Sequence, residues 1–223
     1  MDYRIISIGS LAHHELWHDQ GPARTAHATT TLVRSGDKVV LVDPGLPPTA
    51  IAARLRERSG LAPEAITDVF LTNFRPEHRW GLPAFDKARW WIAEREREVI
   101  GSMLIDRYRS EAEPEVRQML EADIALLKRC GAAPDSLAPH VDLFPLPGYT
   151  AGTCGILLAL PGQTTLLAGD AVATSEHLEQ GRVLRGAYDL EQAQASFLEA
   201  VEIADLLVPG YDNITANRTR RPF

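Results

Sequence analysis

Residues 70–82, FLTNFRPEHRWGL, place Asn73, Arg75, Glu77 and His78 in one short polar loop between two apolar elements. Loops at strand ends often carry chemistry. A carboxylate beside an imidazole suits metal ligation or proton transfer. A guanidinium does not suit a metal, because it is a fixed cation that cannot relieve repulsion by losing its proton. The loop therefore poses a choice between a metal site, its remnant and a replacement.

The elements that position this loop follow from pattern. YRIISIG reads as a strand, and TTTLVRSGDKVVLVDPG as a hairpin rich in Thr, Val and Leu with SGDK as its turn. VVLVD is apolar throughout, which predicts burial on both faces. HHELWHDQGPARTAH, between the first two strands, is polar and reads as a long loop. PPTAIAARLRERSG reads as a helix opened by prolines and closed by Gly60, with Ile51 and Leu55 on one face. TDVFLTN and ARWWIA are further strands. Residues 93–130 read as two helices broken near residues 110–113. Val99, Met103 and Leu104 form one stripe; Val116, Leu120, Ile124 and Leu127 form another. VDLFPLPG, TCGILLALPG and TTLLAGD are strands with Gly and Pro punctuation. LEQAQASFLEAVEIA is a helix, and DLLVPG a closing strand. Two blocks of strands interrupted by helices predict two packed sheets with helices outside.

Bulk properties narrow the class. At 223 residues and 45% hydrophobic, the chain can bury a sizeable core in one large domain or two small ones. A net charge of −7 disfavours nucleic acid as a partner. No apolar run approaches a membrane span, and the N-terminus lacks a signal-peptide pattern. Cys130 and Cys154 lie far apart and form no CxxC pair, which points to a reducing compartment and a cytoplasmic location.

Five segments now agree in order: LVDPGL, VFLTNFRPEHRWGLPAF, LPLPGYTAGTCG, LLAGDAV and LLVPGYDN. Together, over residues 28–213, the chain resembles the metallo-β-lactamase superfamily of binuclear metallohydrolases. The resemblance implies an α/β fold: a four-layer αββα sandwich of two mixed sheets flanked by helices. It implies one domain over residues 1–215, with the helical pair 93–130 as an insertion and 216–223 as a flexible basic tail.

In that family an HxHxDH loop, a later His, a strand-end Asp and a final His hold two metal ions. Carried over position by position, the loop here reads Asn73, Arg75, Glu77 and His78, so only the last histidine is kept. The later His is Tyr149, the strand-end aspartate is present as Asp170, and the final His is Tyr211. Asp43 of VDPG, a supporting residue in the family, is also present. A dication about 4 Å from the Arg75 guanidinium would be repelled by roughly 8 kcal/mol at an effective dielectric of about 20. The first metal position is therefore expected to hold no metal. Glu77, His78 and Asp170 leave room for one weakly held zinc or other divalent ion.

Two functional readings follow. In the first, the chain is a pseudoenzyme without a metal cofactor. Arg75 balances Glu77 and Asp170, and the old pocket receives a small ligand, an anionic one if Arg75 binds it, or serves as the contact surface of an interaction protein. In the second, a mononuclear metal-dependent hydrolase of the superfamily holds one ion with Glu77, His78 and Asp170 and cleaves an ester, lactone or thioester, with His78 and Asp170 as catalytic groups and Tyr149 or Tyr211 steadying the developing oxyanion. His13, His14, His18, His27 and His177 are candidates to replace lost ligands, although their spacing matches no compact ligand motif. A solvated loop is the simpler expectation for residues 13–18. Trp80, Trp90 and Trp91 are expected in the core or the pocket wall.

Overall fold

A computed structural model describes residues 1–17 and 21–218. Strands β1 (Asp2–Ser7), β2 (Thr30–Ser35), β3 (Lys38–Val42), β4 (Asp68–Leu71), β5 (Arg89–Ile92) and β6 (Gly131–Ala132) pair in that order as one sheet. β1, β2 and β3 run antiparallel, while β3 through β6 are parallel. The second sheet runs β12 (Thr215–Ala216), β11 (Leu206–Pro209), β10 (Gln163–Gly169), β9 (Cys154–Leu160), β8 (Val141–Pro145) and β7 (Ser136–Ala138). Only its β10–β11 pair is parallel, so both sheets are mixed.

The layers follow from which faces are apolar. Val33, Val40, Val42 and Phe70 of the first sheet meet Val141, Ile156, Leu158, Leu167 and Val208 of the second in one buried cluster. The outer face of the first sheet packs Leu41, Val69 and Leu71 against Ile51 and Leu55 of helix α1 (Pro48–Ser59) and against Leu127. α1 ends at Gly60, whose φ of 73° is a left-handed cap that glycine adopts without Cβ strain. The outer face of the second sheet packs Leu166 and Leu207 against Phe197 and Ala200 of helix α6 (Leu190–Ile203). These layers make the αββα sandwich.

Four further helices bear on the site. α2 (Pro76–Arg79) is a single turn inside the loop that the sequence reads as irregular. α3 (Glu94–Ser110) and α4 (Pro114–Arg129) form the helical pair, with the break where it was expected. Met103 departs from its predicted stripe: it is 52% exposed, while Val99 and Leu104 are half-buried. α5 (Ser175–Gln180) follows Asp170 and is capped by the Thr174 side chain. The sequence shows no apolar periodicity there, because its six residues span fewer than two turns.

One boundary moves. Thr215 and Ala216 pair with β11, and the Asn217 amide donates to the carbonyls of Val201 and Ala204, at 2.6 and 2.8 Å. Residues 216–217 therefore belong to the fold rather than to a tail. The remainder of the predicted tail, 219–223, lies outside the described residues. Among the described residues no helix is long and apolar enough to cross a membrane.

Candidate functional site

The site gathers at the carboxyl ends of the strands. β3 delivers Asp43, β4 delivers Thr72 and Asn73, β8 leads to Tyr149, β10 delivers Asp170 and β11 leads to Tyr211. In mixed α/β sheets this is where ligands bind. α2 carries Glu77 and His78. Pro76 opens that turn, and the Glu77 carbonyl accepts from the Ala28 amide at 2.8 Å, so the loop is pinned to the first sheet.

His78 is fully buried between two carboxylates. Its Nδ1 lies 3.0 Å from Asp43 Oδ2, and its Nε2 lies 3.1 Å from Asp170 Oδ2. Both ring nitrogens face acceptors, which suits the doubly protonated ring. Burial alone would depress the imidazolium, but the charges of Asp170 and Asp43 and the bonds to both raise its pKa well above the ordinary value. Asp170 responds in the opposite direction. Burial would raise it, yet the His78 charge and the bond from His78 hold it below the usual carboxylate range.

Asp43 is held in turn. Its Oδ1 accepts from the Thr72 amide at 2.8 Å, and its Oδ2 from the Thr72 hydroxyl at 2.7 Å. Its φ of 51° is unusual for a non-glycine residue, a strain that its buried bonds over-determine. Asn73 donates from Nδ2 to Asp170 Oδ2 at 2.6 Å. The Tyr211 hydroxyl lies 3.3 Å from His78 Nε2 and 3.5 Å from Glu77 Oε1. Burial, followed by the charge of Asp170, pushes the Tyr149 phenol up to about 12; the same causes raise Tyr211 well above the ordinary value.

Arg75 makes half of its expected bridge. Nε donates to Glu77 Oε1 at 2.7 Å, and the guanidinium carbon lies 5.1 Å from the centre of the Tyr149 ring. The guanidinium makes no hydrogen bond to Asp170, whose Oδ2 is already taken by Asn73 and His78. Asp170 Oδ1 is buried without a partner. Among the described residues no group of three or more His, Cys, Asp or Glu side chains is placed to hold a metal ion.

The candidate replacement histidines go elsewhere. His14 is buried rather than solvated. Its Nε2 lies 3.2 Å from Thr174 Oγ1 and 3.4 Å from Glu176 Oε2, and its ring stacks on Trp17 at 4.1 Å. Trp17 donates from Nε1 to Glu176 Oε1 at 2.9 Å. His177 pairs with Glu15 at 3.3 Å, and Glu15 also takes Arg185 at 2.9 Å. These contacts fasten the N-terminal loop to α5. Leu11 of that loop joins Tyr149, Tyr211, Ala173 and Leu184 in a small apolar cluster beside the site. His13 is exposed, the His27 ring hydrogen-bonds the Thr25 carbonyl, and His18 lies outside the described residues. Trp90 is buried and Trp91 half-buried, whereas Trp80 is 48% exposed and lines a surface cavity with Pro76 and Glu77.

One residue escapes the sequence reading. Glu96, from the first turn of α3, is fully buried. Its Oε1 accepts from the Phe74 amide at 3.0 Å, and its Oε2 from the Thr150 hydroxyl at 2.7 Å and the Gly152 amide at 2.9 Å. It ties the His78 loop to the Tyr149 loop. Burial raises its pKa despite these three bonds. In the run EREREV it looks like one more charge on a solvated helix face.

Residues 24–209 match the model of the metallo-beta-lactamase superfamily. The chain belongs to the metallo-β-lactamase superfamily. Among solved structures it is similar to a Thermotoga maritima protein described as a candidate metallo-β-lactamase, at a TM-score of 0.70 and 20% identity over 96% of this chain and 98% of that one. It is also similar to AidC, a dizinc quorum-quenching lactonase in complex with a product, at a TM-score of 0.63 and 20% identity over 78% of this chain and 67% of that one. A third is AiiA of B. thuringiensis with N-decanoyl-L-homoserine at its active site, at 0.62 and 18% over 88% and 85%. No curated protein matches. At these identities the structural likenesses speak to the superfamily fold, and the chemistry must be argued from the residues.

Proposed function

We propose that this chain is a metal-independent member of the superfamily, a pseudoenzyme whose former active-site pocket binds a small molecule. The observation that carries the reading is His78 with each ring nitrogen on a different buried aspartate, at 3.0 and 3.1 Å. A buried imidazolium there supplies positive charge between the carboxylates that a metal would otherwise neutralise. The donor set supports this. Asn73, Arg75, Tyr149 and Tyr211 stand where the family pattern has histidines, and the Arg75 cation lies beside Glu77. These residues do not fit the family's pair of ions. Free, buried Cys130 and Cys154 agree with a reducing, cytoplasmic setting.

One observation favours a second reading. Asp170 Oδ1 is buried without a donor, which leaves a lone pair for a single ion with Glu77 and His78 in a hydrolase of esters, lactones or thioesters. Asp43 on Nδ1 would orient His78 equally well in that case. Elemental analysis after expression with zinc, manganese and iron separates the two, together with assays on lactone, ester and thioester panels. Metal-free, inactive protein supports the first reading. Stoichiometric metal that is lost in His78→Ala, with turnover of one panel, supports the second.

A further inference from the structure

β1 forms one margin of the first sheet and pairs only with β2. Among the described residues, no backbone N–H or C=O of Asp2–Ser7 bonds a group outside that ladder. Helix α1 covers a face of β1, where Ile6 joins Ile51 and Leu55 in one buried cluster. Edge strands are usually blunted by proline, a bulge or a covering element. β1 has no proline, and its one irregularity lies between Ile5 and Ser7. Asp2–Ile5 is therefore a regular strand with one side of its ladder open.

Two cavities follow one another between β1 and the end of α1. The first, about 360 Å³, is lined by Ile5, Ile8, Leu46, Arg54 and Arg58 among others. The second, about 190 Å³, is lined by Asp2, Arg4, Leu32, Arg34 and Ser59 among others. Arg4 donates to the Arg58 carbonyl at their junction. Asp2, opposite Arg34 in the ladder, is the one carboxylate that lines either cavity among the described residues. Arg54 is paired with Glu57 at 2.9 Å. Arg4 and Arg34 reach carbonyls of α1 instead, and Arg58 meets no carboxylate among the described residues. On a chain of net charge −7, this groove is locally basic.

The two faces of the strand differ. Arg4 and Arg34 lie on the α1 side. Tyr3 and Ile5 lie on the other, packed into the cluster between the sheets that holds Val33, and the Tyr3 hydroxyl is 3.3 Å from Thr165 Oγ1. A strand laid beside β1 alternates in the same way. Its residues on the α1 side meet the arginines, and those between extend the apolar layer of Tyr3 and Ile5.

We propose that the open edge of β1 receives an extended acidic segment of a partner protein as a seventh strand of the first sheet, with acidic and apolar residues alternating. The backbone ladder supplies the pairing, and Arg4, Arg34 and Arg58 supply the charge selection. A second copy pairing through its own β1 would set the same arginines against each other. A single-stranded nucleic acid needs exposed rings for stacking, and Tyr3, the one aromatic residue lining the groove, packs into the core between the sheets. None of these residues belongs to the His78 site, so the proposal stands independently of metal content.

Calorimetric titration of the full chain with capped six-residue peptides tests it, with amide hydrogen exchange as a second readout. A peptide of alternating Glu and Val is expected to bind at one site per chain, more weakly as salt is raised, and to slow exchange within Asp2–Ile5. The same peptide with Lys in place of Glu, and the Glu and Val peptide N-methylated throughout, are each expected to bind roughly ten-fold more weakly or worse. The double variant Arg4→Glu with Arg58→Glu is expected to weaken the acidic peptide by roughly ten-fold or more. Both side chains are exposed, and a melting curve checks that the fold is kept. Arg58→Glu alone, at a side chain without a bond among the described residues, is expected to weaken binding in the same direction. Absence of saturable binding by the acidic peptide, equal binding of its N-methylated form, or unchanged affinity in both variants would overturn the proposal. So would tighter binding of a single-stranded oligonucleotide that the double variant loses, or self-association of the chain that the double variant abolishes.

Discussion

His78 Nδ1 lies 3.0 Å from Asp43 Oδ2 in a fully buried pair, and Asp43 is itself held by the amide and hydroxyl of Thr72. The contact joins the end of β3 to the turn of α2. It locks the imidazole before any ligand arrives, and Asp170 completes the arrangement from the second sheet.

Removing one member of this triad should leave an uncompensated buried charge. His78→Gln is expected to destabilise the fold by about 3–5 kcal/mol, the range for breaking a buried ion pair. Urea unfolding measures it. A loss below about 1 kcal/mol, typical of exposed pairs, would show that the carboxylates do not depend on the imidazolium.

The pH dependence has a definite sign. The raised His78 pKa contributes stability that is fully present below the unfolded value of 6.5 and is lost as pH rises through the folded value. The lowered Asp170 pKa contributes stability present above 3.8 and lost as pH falls through its folded value. The melting temperature should therefore be highest in mildly acidic solution and decline on the alkaline side. In His78→Gln the alkaline decline should shrink. An identical alkaline slope in both proteins would contradict the assignment.

The anchor at Glu96 predicts a backbone effect. A Cβ on Gly152 would sit 2.2 Å from the Glu96 amide nitrogen. Gly152→Ala is expected to cost about 1–3 kcal/mol through forced backbone shifts. Glu96→Gln replaces one acceptor oxygen by a donor and is expected to cost a similar amount, about 1–3 kcal/mol. Thermal unfolding of both variants checks this, and an unchanged Glu96→Gln would mean that the two loops hold each other without it.

The N-terminal loop should behave as a locally separable unit. Trp17→Ala removes the ring stacked on His14 and the donor to Glu176 Oε1. Faster proteolysis within residues 11–17 is expected, with global stability changed by no more than about 0.5 kcal/mol, as for a surface substitution. A matching fall in global stability would show that the loop is integral to the core.

The fold was legible because its strands are continuous Val- and Leu-rich runs, as in VVLVD and TTLLAGD, punctuated by Gly and Pro. Short elements such as α2, α5 and β12 escaped because one or two turns, or two paired residues, leave no periodicity. Within the site, the positions of Asn73, Arg75, His78, Tyr149, Asp170 and Tyr211 could be read from motif order. Their pairing could not. Whether Arg75 reaches Asp170 or stops at Glu77 depends on which oxygens Asn73 and His78 have already occupied. His14 and Glu96 sit in polar, charged runs, and burial of such residues is decided by distant partners, Thr174 for one and Thr150 for the other.

The most direct measurement is metal content of the purified full chain, expressed with zinc, manganese and iron supplied, with a melting curve in the presence and absence of chelator. The account predicts well below one equivalent of any of these metals and an unchanged melting temperature. One equivalent of bound metal, lost in His78→Ala, with a melting temperature lowered by chelator, would contradict it.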